Sequence, residues 1–270
     1  MILEKTVDLV KQRYLSFNTE PPKISKVVVG LGYTGVEISV FNSEPILGLA
    51  STLPSVVNIT NCSKIEFAGN LTNRTLFELM NWSCEAPSIK KIIGIAALNC
   101  TSQYLLKLTK SYTKLKGDLI NQLKIKKDTS ITVIGLMKPL IRKLSKNTKL
   151  ITLIEDIIPI SPEFNQFSIK KNIEEVDPQD LFTDILICTG TVLINNTIEK
   201  ILNLFRNKAR KIILIGPSAS MIPDILFEKG VDIVGGMEIV DSEATLRVLQ
   251  EGGGTKLFKQ YGKKYNFIKK

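Results

Sequence analysis

In the second half of the chain, short and uniformly apolar runs alternate with helical runs, and this alternation constrains the fold most. The β-rich runs span residues 130–134, 149–155, 184–188, 211–215 and 231–234, and helical patterns span 139–144, 197–205, 222–227 and 242–250. Strands that are apolar on both faces need cover on both sides, which is typical of parallel sheets. The pattern therefore predicts an α/β fold whose residues 108–270 form a Rossmann-like, doubly wound parallel sheet domain.

The first part of the chain has a different order of elements. An amphipathic helical stripe opens the chain, and Pro21-Pro22 ends it. Three short β-prone runs follow at residues 26–31, 36–41 and 45–49, and then two helical stretches at 75–82 and 88–98. This order predicts a small α+β domain over residues 1–107, and a chain of 270 residues is long enough for two domains.

Composition narrows the class of protein. With 44% hydrophobic and 23% charged residues the chain has ordinary globular usage. No apolar run reaches the ~18 residues that span a bilayer and no signal peptide is evident, so we expect no membrane association and a cytoplasmic location. The four cysteines form no CxxC pair, so the sequence predicts neither a disulfide framework nor a preformed structural zinc site: Cys62, Cys84, Cys100 and Cys188.

The net charge of +10 raises the question of a nucleic-acid partner. Residues 1–117 and residues 118–270 each carry an excess of five positive charges, so the excess is distributed along the chain. Only the segment 256–270 has one sign, with six lysines and no acid, and we interpret it as a solvated tail. We therefore do not expect a nucleic-acid partner.

Candidate ligand-binding residues lie where the predicted strands end, because doubly wound sheets bind ligands outside the carboxyl ends of their strands. Gly135 follows the first strand of this domain, and Glu155 lies 20 residues later. At that spacing a Rossmann domain places a carboxylate on ribose hydroxyls. Asp156 could share the role, and a structural hydrogen bond or ion pair is the competing explanation for either acid.

The later strands also end in small and polar residues. Thr189-Gly190-Thr191 and Asn195 follow one strand, Pro217 and Ser218 follow the next, and Asp241 lies beyond a Gly-Gly pair after the last. Glycine and small hydroxyls allow the backbone to approach a ligand closely. A helix cap explains Asn196 or Thr197 alone, but it does not explain the whole set.

Taken in order, a set of short segments resembles the putative heavy-metal chelation family over nearly the whole chain. The segments are Gly30-Leu31-Gly32-Tyr33-Thr34, Ala96-Ala97-Leu98-Asn99, Thr189-Gly190-Thr191, Gly216-Pro217-Ser218, Gly235-Gly236 to Asp241, and Gly252-Gly253-Gly254. The resemblance implies an enolase N-terminal-like domain followed by a Rossmann-like domain. It also implies an interdomain cleft for condensation or hydrolysis of pterin-, flavin- or siderophore-like molecules.

Site residues follow from the resemblance by position. The Rossmann-like part would supply Gly135, Glu155, Thr189, Gly190, Thr191, Asn195, Pro217 and Ser218, and the N-terminal part would supply Tyr33, Thr34 and Asn99. Many relatives have a histidine where this chain has Leu136, and this chain contains no histidine. A histidine-dependent role in acid–base catalysis or metal binding is therefore in doubt.

These observations leave three hypotheses. The first is a protein that binds or processes a small chelating molecule, with any metal ion delivered by that ligand. The second is an S-adenosylmethionine-dependent methyltransferase-like protein, supported by Glu155 and opposed by the lack of a glycine-rich first loop. The third is a nucleotide-binding module without catalysis. Glu155, Asp241 and Tyr33 are the candidate catalytic groups; Glu37 is a weaker one, because we expect it to face outward from a strand.

Overall fold

The computed structural model describes residues 1–17, 20–57, 65–109, 112–156, 162–177 and 181–269. The helices are α1 Ile2–Ser16, α2 Leu76–Asn81, α3 Ile89–Leu108, α4 Leu119–Gln122, α5 Lys138–Leu144, α6 Ile198–Phe205, α7 Asp224–Glu228, α8 Ser242–Gln250 and α9 Thr255–Phe258. The strands are β1 Ile24–Val29, β2 Tyr33–Ile38, β3 Ile46–Ser51, β4 Ile131–Ile134, β5 Ile151–Ile154, β6 Ser168–Lys170, β7 Thr183–Thr189, β8 Ala209–Ile215, β9 Ile233–Ile239 and β10 Gly262–Ile268.

The small sheet has the order β1-β2-β3, with both pairs antiparallel, as the three β-prone runs predicted. It is covered on both faces. Ile46 and Ala50 pack in the cluster that contains α3, whereas Leu47 and Leu49 pack against α8 and α9 of the second half. This arrangement explains why β2 and β3 are almost entirely buried.

The large sheet has the order β10-β9-β8-β7-β4-β5-β6. All of its pairs are parallel except β9 with β10. Counted along the chain from β4, strands β4 to β9 have the order 3-2-1-4-5-6, which is that of dinucleotide-binding domains, and the order reverses between β4 and β7. The mixed α/β fold, with a parallel-dominated sheet and a small antiparallel sheet, is therefore confirmed.

Several elements differ from the sequence-based expectation, including β6, which was not predicted. Helix α3 continues to Leu108, ten residues beyond the predicted end, because its polar residues hydrogen-bond inside the protein. The segment interpreted as a solvated tail forms α9 and β10, so that interpretation was wrong. β10 pairs with β9 along its whole length, Phe267 is buried, and Lys263 and Lys264 are exposed at the sheet edge. Edge lysines oppose pairing with another chain.

The two halves share a continuous core. One cluster joins Val10 and Ile95 of the first half to Leu193 and Leu226 of the second. The predicted boundary after residue 107 falls in the last turn of α3, and it stays a prediction. No helix in the described ranges is long and apolar enough to cross a membrane.

Candidate functional site

The carboxyl ends of β4 and β7 meet at the point where the strand order reverses. Gly135 follows β4 with a φ of +92°, which glycine adopts without strain. A Cβ at this position would lie 2.3 Å from Cγ2 of Thr189, so the backbone of the β4 turn lies directly against the last residue of β7. The structure thus brings together two predicted site residues, Gly135 and Thr189, at the position where sheets of this type bind ligands in a crevice.

Glu155 lies beside them, after the end of β5. Its Oε2 accepts a hydrogen bond from the backbone N–H of Leu136 at 2.5 Å, and the side chain is half-buried. The spacing of 20 residues from Gly135 therefore corresponds to a real proximity. This carboxylate fixes the turn after β4, which is a structural role that coexists with any role in ligand binding. The neighbouring Asp156 is exposed.

The segment after β7 lines the same edge of the sheet. Gly190 is buried against the turn after β8, where a Cβ would lie 2.8 Å from the backbone nitrogen of Ala219. Thr189 and Thr191 are half-buried. Asn195 is exposed, and its Oδ1 accepts hydrogen bonds from the Thr197 hydroxyl at 2.7 Å and the Thr197 N–H at 3.3 Å. Asn195 thus shapes the start of α6.

Asn99 joins the two halves of the protein at this edge. Its Nδ2 donates to the carbonyl oxygens of Leu49 at 2.8 Å, Ser218 at 3.1 Å and Pro217 at 3.3 Å. The Ser218 hydroxyl accepts a hydrogen bond from the N–H of Ser51 at 2.9 Å. Within the described part of the chain, Oδ1 of Asn99 is buried without a partner. Asn99, Pro217 and Ser218 therefore form the junction between the small sheet and the turn after β8.

Sequence analysis missed a second part of this junction. Nε2 of Gln103 donates to the carbonyl oxygen of Ser220 and to the Tyr265 hydroxyl, both at 2.7 Å. The position of Gln103, four residues after Asn99, places both amides on one face of α3. That spacing was the available signal. It was missed because the helix was expected to end at residue 98.

Tyr33 and Thr34 lie at the start of β2, and their side chains point to opposite faces of the small sheet. The Tyr33 hydroxyl accepts a hydrogen bond from Thr255 at 2.8 Å, its ring packs edge-to-face on Phe258, and burial raises its pKa. Thr34 is fully buried, 3.0 Å from the hydroxyl of Thr52. Both residues pack between elements here, and contact of either with a ligand stays a prediction.

The glycine-rich turn before Tyr33 contacts the glycine-rich turn near the C-terminus. A Cβ at Gly30 would lie 2.3 Å from the carbonyl oxygen of Leu249, and one at Gly32 would lie 3.1 Å from that of Gly253. The two motifs are therefore a packing contact between the ends of the chain, where side chains would not fit.

The other nominated acids have structural partners. Glu37 does not face outward: it is 3% exposed, and the hydroxyls of Ser25, at 2.7 Å, and of Ser242 donate to its carboxylate. The expectation was wrong because α8 covers this face of the small sheet. Asp241 is exposed and caps α8 by accepting a hydrogen bond from the N–H of Ala244 at 2.9 Å.

The residues that the structure describes do not fit a resident metal ion. They include no group of three or more His, Cys, Asp or Glu side chains that could hold one. Burial raises the pKa of the Cys188 thiol to about 12 and the pKa of Cys100 further, which disfavours the thiolate that metals bind. Cys62 lies outside the described residues. The absence of a structural zinc site stays a prediction, and unchanged thermal melting in EDTA would support it.

Two solved structures resemble the whole chain. One is a protein of unknown function from Pyrococcus horikoshii, with 23% identity, complete coverage of both chains and a TM-score of 0.76. The other, also of unknown function, is from Desulfitobacterium hafniense, with 18% identity, 98% coverage of this chain, 99% coverage of that chain and a TM-score of 0.73. At these identities the likeness shows the fold.

Sequence comparison identifies the family. An uncharacterized protein of Methanocaldococcus jannaschii is 27% identical over an alignment of 274 positions. The alignment covers 98% of this chain and 97% of that protein. One family model described as "putative heavy-metal chelation" matches residues 118–268, and a second with the same description matches residues 13–102. The two solved structures come from the first of these families. The chain therefore belongs to the putative heavy-metal chelation family.

Proposed function

We propose that this protein binds a small chelating organic molecule at the carboxyl edge of the large sheet and that any metal ion arrives with that molecule. The observation that supports the proposal most is the meeting of Gly135, Glu155 and Thr189 at the point where the strand order reverses. Such a point is where doubly wound sheets bind small ligands. The family description agrees with a ligand that carries metal.

The chemistry of these residues suits a polar ligand. Half-buried threonine hydroxyls can donate and accept hydrogen bonds, and a carboxylate accepts them strongly. The absence of three clustered metal-binding side chains in the described part of the chain implies that the organic molecule would supply most donors to the metal. Pterins, flavins and catechol-type siderophores have such donors. The proposal includes condensation or hydrolysis of such a molecule.

A thermal-shift titration tests this function. The probes are a pterin, flavin mononucleotide, and 2,3-dihydroxybenzoate with and without Fe³⁺. A binding probe at 100 times its dissociation constant should stabilise the fold by about 2.7 kcal/mol. If none of the probes raises the melting temperature, this function is contradicted for the three ligand classes proposed.

Glu155→Gln locates the site. The amide oxygen of glutamine can still accept from the N–H of Leu136, so the fold should be retained, while the charged acceptor is lost. Affinity for the binding probe should fall about tenfold to a hundredfold, as expected for a charge-assisted hydrogen bond of roughly 1.5 to 3 kcal/mol. The matched control is Glu163→Gln, an exposed acid paired with Arg142, which should leave affinity unchanged. Equal affinities would give Glu155 a purely structural role.

A nucleoside ligand is the alternative, favoured by the strand order and by Glu155 at the end of the second strand of the domain. It covers both a methyltransferase-like enzyme that uses S-adenosylmethionine and a regulatory module without catalysis. Calorimetric titration with S-adenosylhomocysteine and with adenosine monophosphate separates these from a chelate-binding protein. Binding of either, with no response to the chelating probes, would favour the nucleoside function.

A further inference from the structure

The opposite edge of the large sheet carries most of the net positive charge of the protein. This amino edge consists of residues 123–130, 145–150, 181–184, 206–211, 228–232 and 268–269, which lie at the amino ends of β4, β5, β7, β8 and β9 or at the carboxyl end of β10. It contains eleven basic residues: Lys124, Lys126, Lys127, Lys146, Lys149, Arg206, Lys208, Arg210, Lys211, Lys229 and Lys269. It contains four acidic residues, so its excess of seven positive charges compares with ten for the whole chain.

We propose that the amino edge binds single-stranded nucleic acid through its phosphate backbone, independently of the small-ligand crevice. The sequence-based argument against such a partner compared the two halves of the chain. The charge of each half of the sequence does not show where the charges lie in space, because parallel strands bring alternate loops to the same edge of the sheet. Charges that are dispersed in sequence are therefore concentrated in the structure, which is the electrostatic footprint expected for binding phosphates.

Few of these charges are neutralised by the protein. Across the described ranges, Arg210 is the one basic residue of this edge with a carboxylate within 4.0 Å, that of Asp184 at 3.0 Å. Asp184 also accepts from the N–H and the hydroxyl of Ser130, and Asp232 accepts from the N–H of Ile212 at 2.7 Å. These acids thus organise the loops, while most of the basic residues are exposed to solvent.

The shape of the amino edge suits a single strand of nucleic acid. An open depression of about 520 Å³ is lined by four basic residues, Lys124, Lys126, Arg210 and Lys211, and by two acids, Asp128 and Asp184. A second depression of about 420 Å³ also borders Arg210 and is lined by Phe182, which is 64% exposed. A concave, basic path beside an exposed aromatic ring is how proteins hold single strands, with bases stacked on the ring.

These features favour nucleic acid over other anionic surfaces. A flat anionic membrane would contact protruding cations and gain nothing from a concave path. An acidic peptide would gain no specific advantage from a ring that bases can stack on. The proposal therefore commits to single-stranded DNA or RNA, which share the phosphate spacing and the stacking bases.

The test uses the full chain and a fluorescein-labelled oligo(dT) of about 20 nucleotides, with fluorescence anisotropy as the readout. Salt is varied from about 0.05 to 0.2 M, because the slope of log K against log salt reports the phosphates neutralised. The variant Lys124→Gln/Lys126→Gln/Arg210→Gln should lower affinity about 100-fold at about 0.1 M salt and reduce the slope by about 2. Phe182→Ala should lower affinity about fivefold or more and leave the slope unchanged.

The control removes the same charge from the other end of the molecule. Lys23→Gln/Lys256→Gln/Lys259→Gln changes three exposed lysines outside the amino edge and should retain nearly all affinity. Equal losses in the two triple variants would overturn the proposal, because binding would then follow net charge alone. Absence of oligonucleotide binding at the lowest salt would also overturn it. So would preferential binding to phosphatidylserine vesicles or poly-glutamate, or tighter binding to a DNA duplex than to oligo(dT).

Discussion

The two edges of the large sheet are opposite in character. At the carboxyl edge, the small sheet and α3 cover part of the large sheet, and the contacts are made by glycines and neutral side chains that hydrogen-bond to backbone, such as Asn99 and Ser218. At the amino edge no such cover is evident among the described residues, and lysines and arginines are exposed. The carboxyl edge therefore makes closely packed, specific contacts, whereas the amino edge presents positive charge that attracts anions over a longer range.

The difference follows from the chain order. The small sheet packs between α3 and α8, and α3 also contacts the turn after β8, so these elements meet the carboxyl edge. Helix α1 contacts α6 and α7 instead, through Glu199 and Asp224. A binding site at the carboxyl edge must use space between packed backbones. Among the residues that the structure describes, the loops at the amino edge have no such partner, and exposed loops tolerate changes in composition better than a core does.

Asn99→Ala is expected to have the largest effect, because it tests whether the carboxyl edge depends on buried hydrogen bonds. The change removes the donor shared by three carbonyl groups, and the free energy of unfolding should fall by about 3 kcal/mol. The control at the amino edge is Asn147→Ala, an exposed asparagine that donates to one carbonyl and should cost about 0.5 kcal/mol or less. Urea denaturation of both variants measures the difference, and equal losses would remove the contrast between the edges.

The candidate residues at the carboxyl edge could be predicted from the sequence because they follow the ends of predicted strands. Gly135, Glu155 and Thr189 could be placed together because parallel topology fixes where strand ends meet, and the first and third of these are in contact. The role of Glu155 as acceptor for the N–H of Leu136 could not be predicted, because it depends on how one turn bends. The burial of Glu37 was missed because the partner face comes from α8, about 200 residues later.

The excess of positive charge at the amino edge could have been predicted from the sequence. Basic residues such as Lys126, Lys146 and Arg210 all precede predicted strands. Counting charge by loop type, rather than by halves of the chain, would have shown the excess. The last strand, β10, was harder to predict, because its lysines resemble those of a tail and only Tyr265 and Phe267 indicate a buried face.

The second comparison uses two glycines with positive φ, one at each edge. Gly135→Ala forces alanine to a φ of +92° and also places its Cβ 2.3 Å from Cγ2 of Thr189, so we expect a loss of about 2 kcal/mol in unfolding free energy. Gly230 at the amino edge has a φ of +97°, and nothing lies within 4 Å of the added Cβ. Gly230→Ala should therefore cost only the backbone strain, about 1 kcal/mol.

A double variant isolates the contact at the crevice. Thr189→Ser removes Cγ2, so Gly135→Ala/Thr189→Ser should be more stable than the sum of the single changes predicts. Denaturation of the four proteins of this cycle measures the coupling. A coupling free energy of zero would mean that the Thr189 side chain can change its rotamer without loss of stability. The carboxyl edge would then be less closely packed than we infer.

The smallest expected effect concerns Asp184, whose carboxylate contacts Ser130 and Arg210 at the amino edge. Hydrogen bonds from the N–H and hydroxyl of Ser130, followed by the charge of Arg210, lower the pKa of this carboxyl below its ordinary value. A carboxyl whose pKa is lower in the folded than in the unfolded state stabilises the fold above the unfolded value, near 3.9, and this contribution is lost as pH falls through the folded pKa. At neutral pH, Asp184→Asn should cost about 1 kcal/mol. The cost should diminish as pH is lowered from 5 toward 2, whereas Asp128→Asn, at an exposed acid in the same depression, should show little effect throughout. A cost for Asp184→Asn that stayed constant with pH would mean that shape, and not charge, holds the amino edge in place.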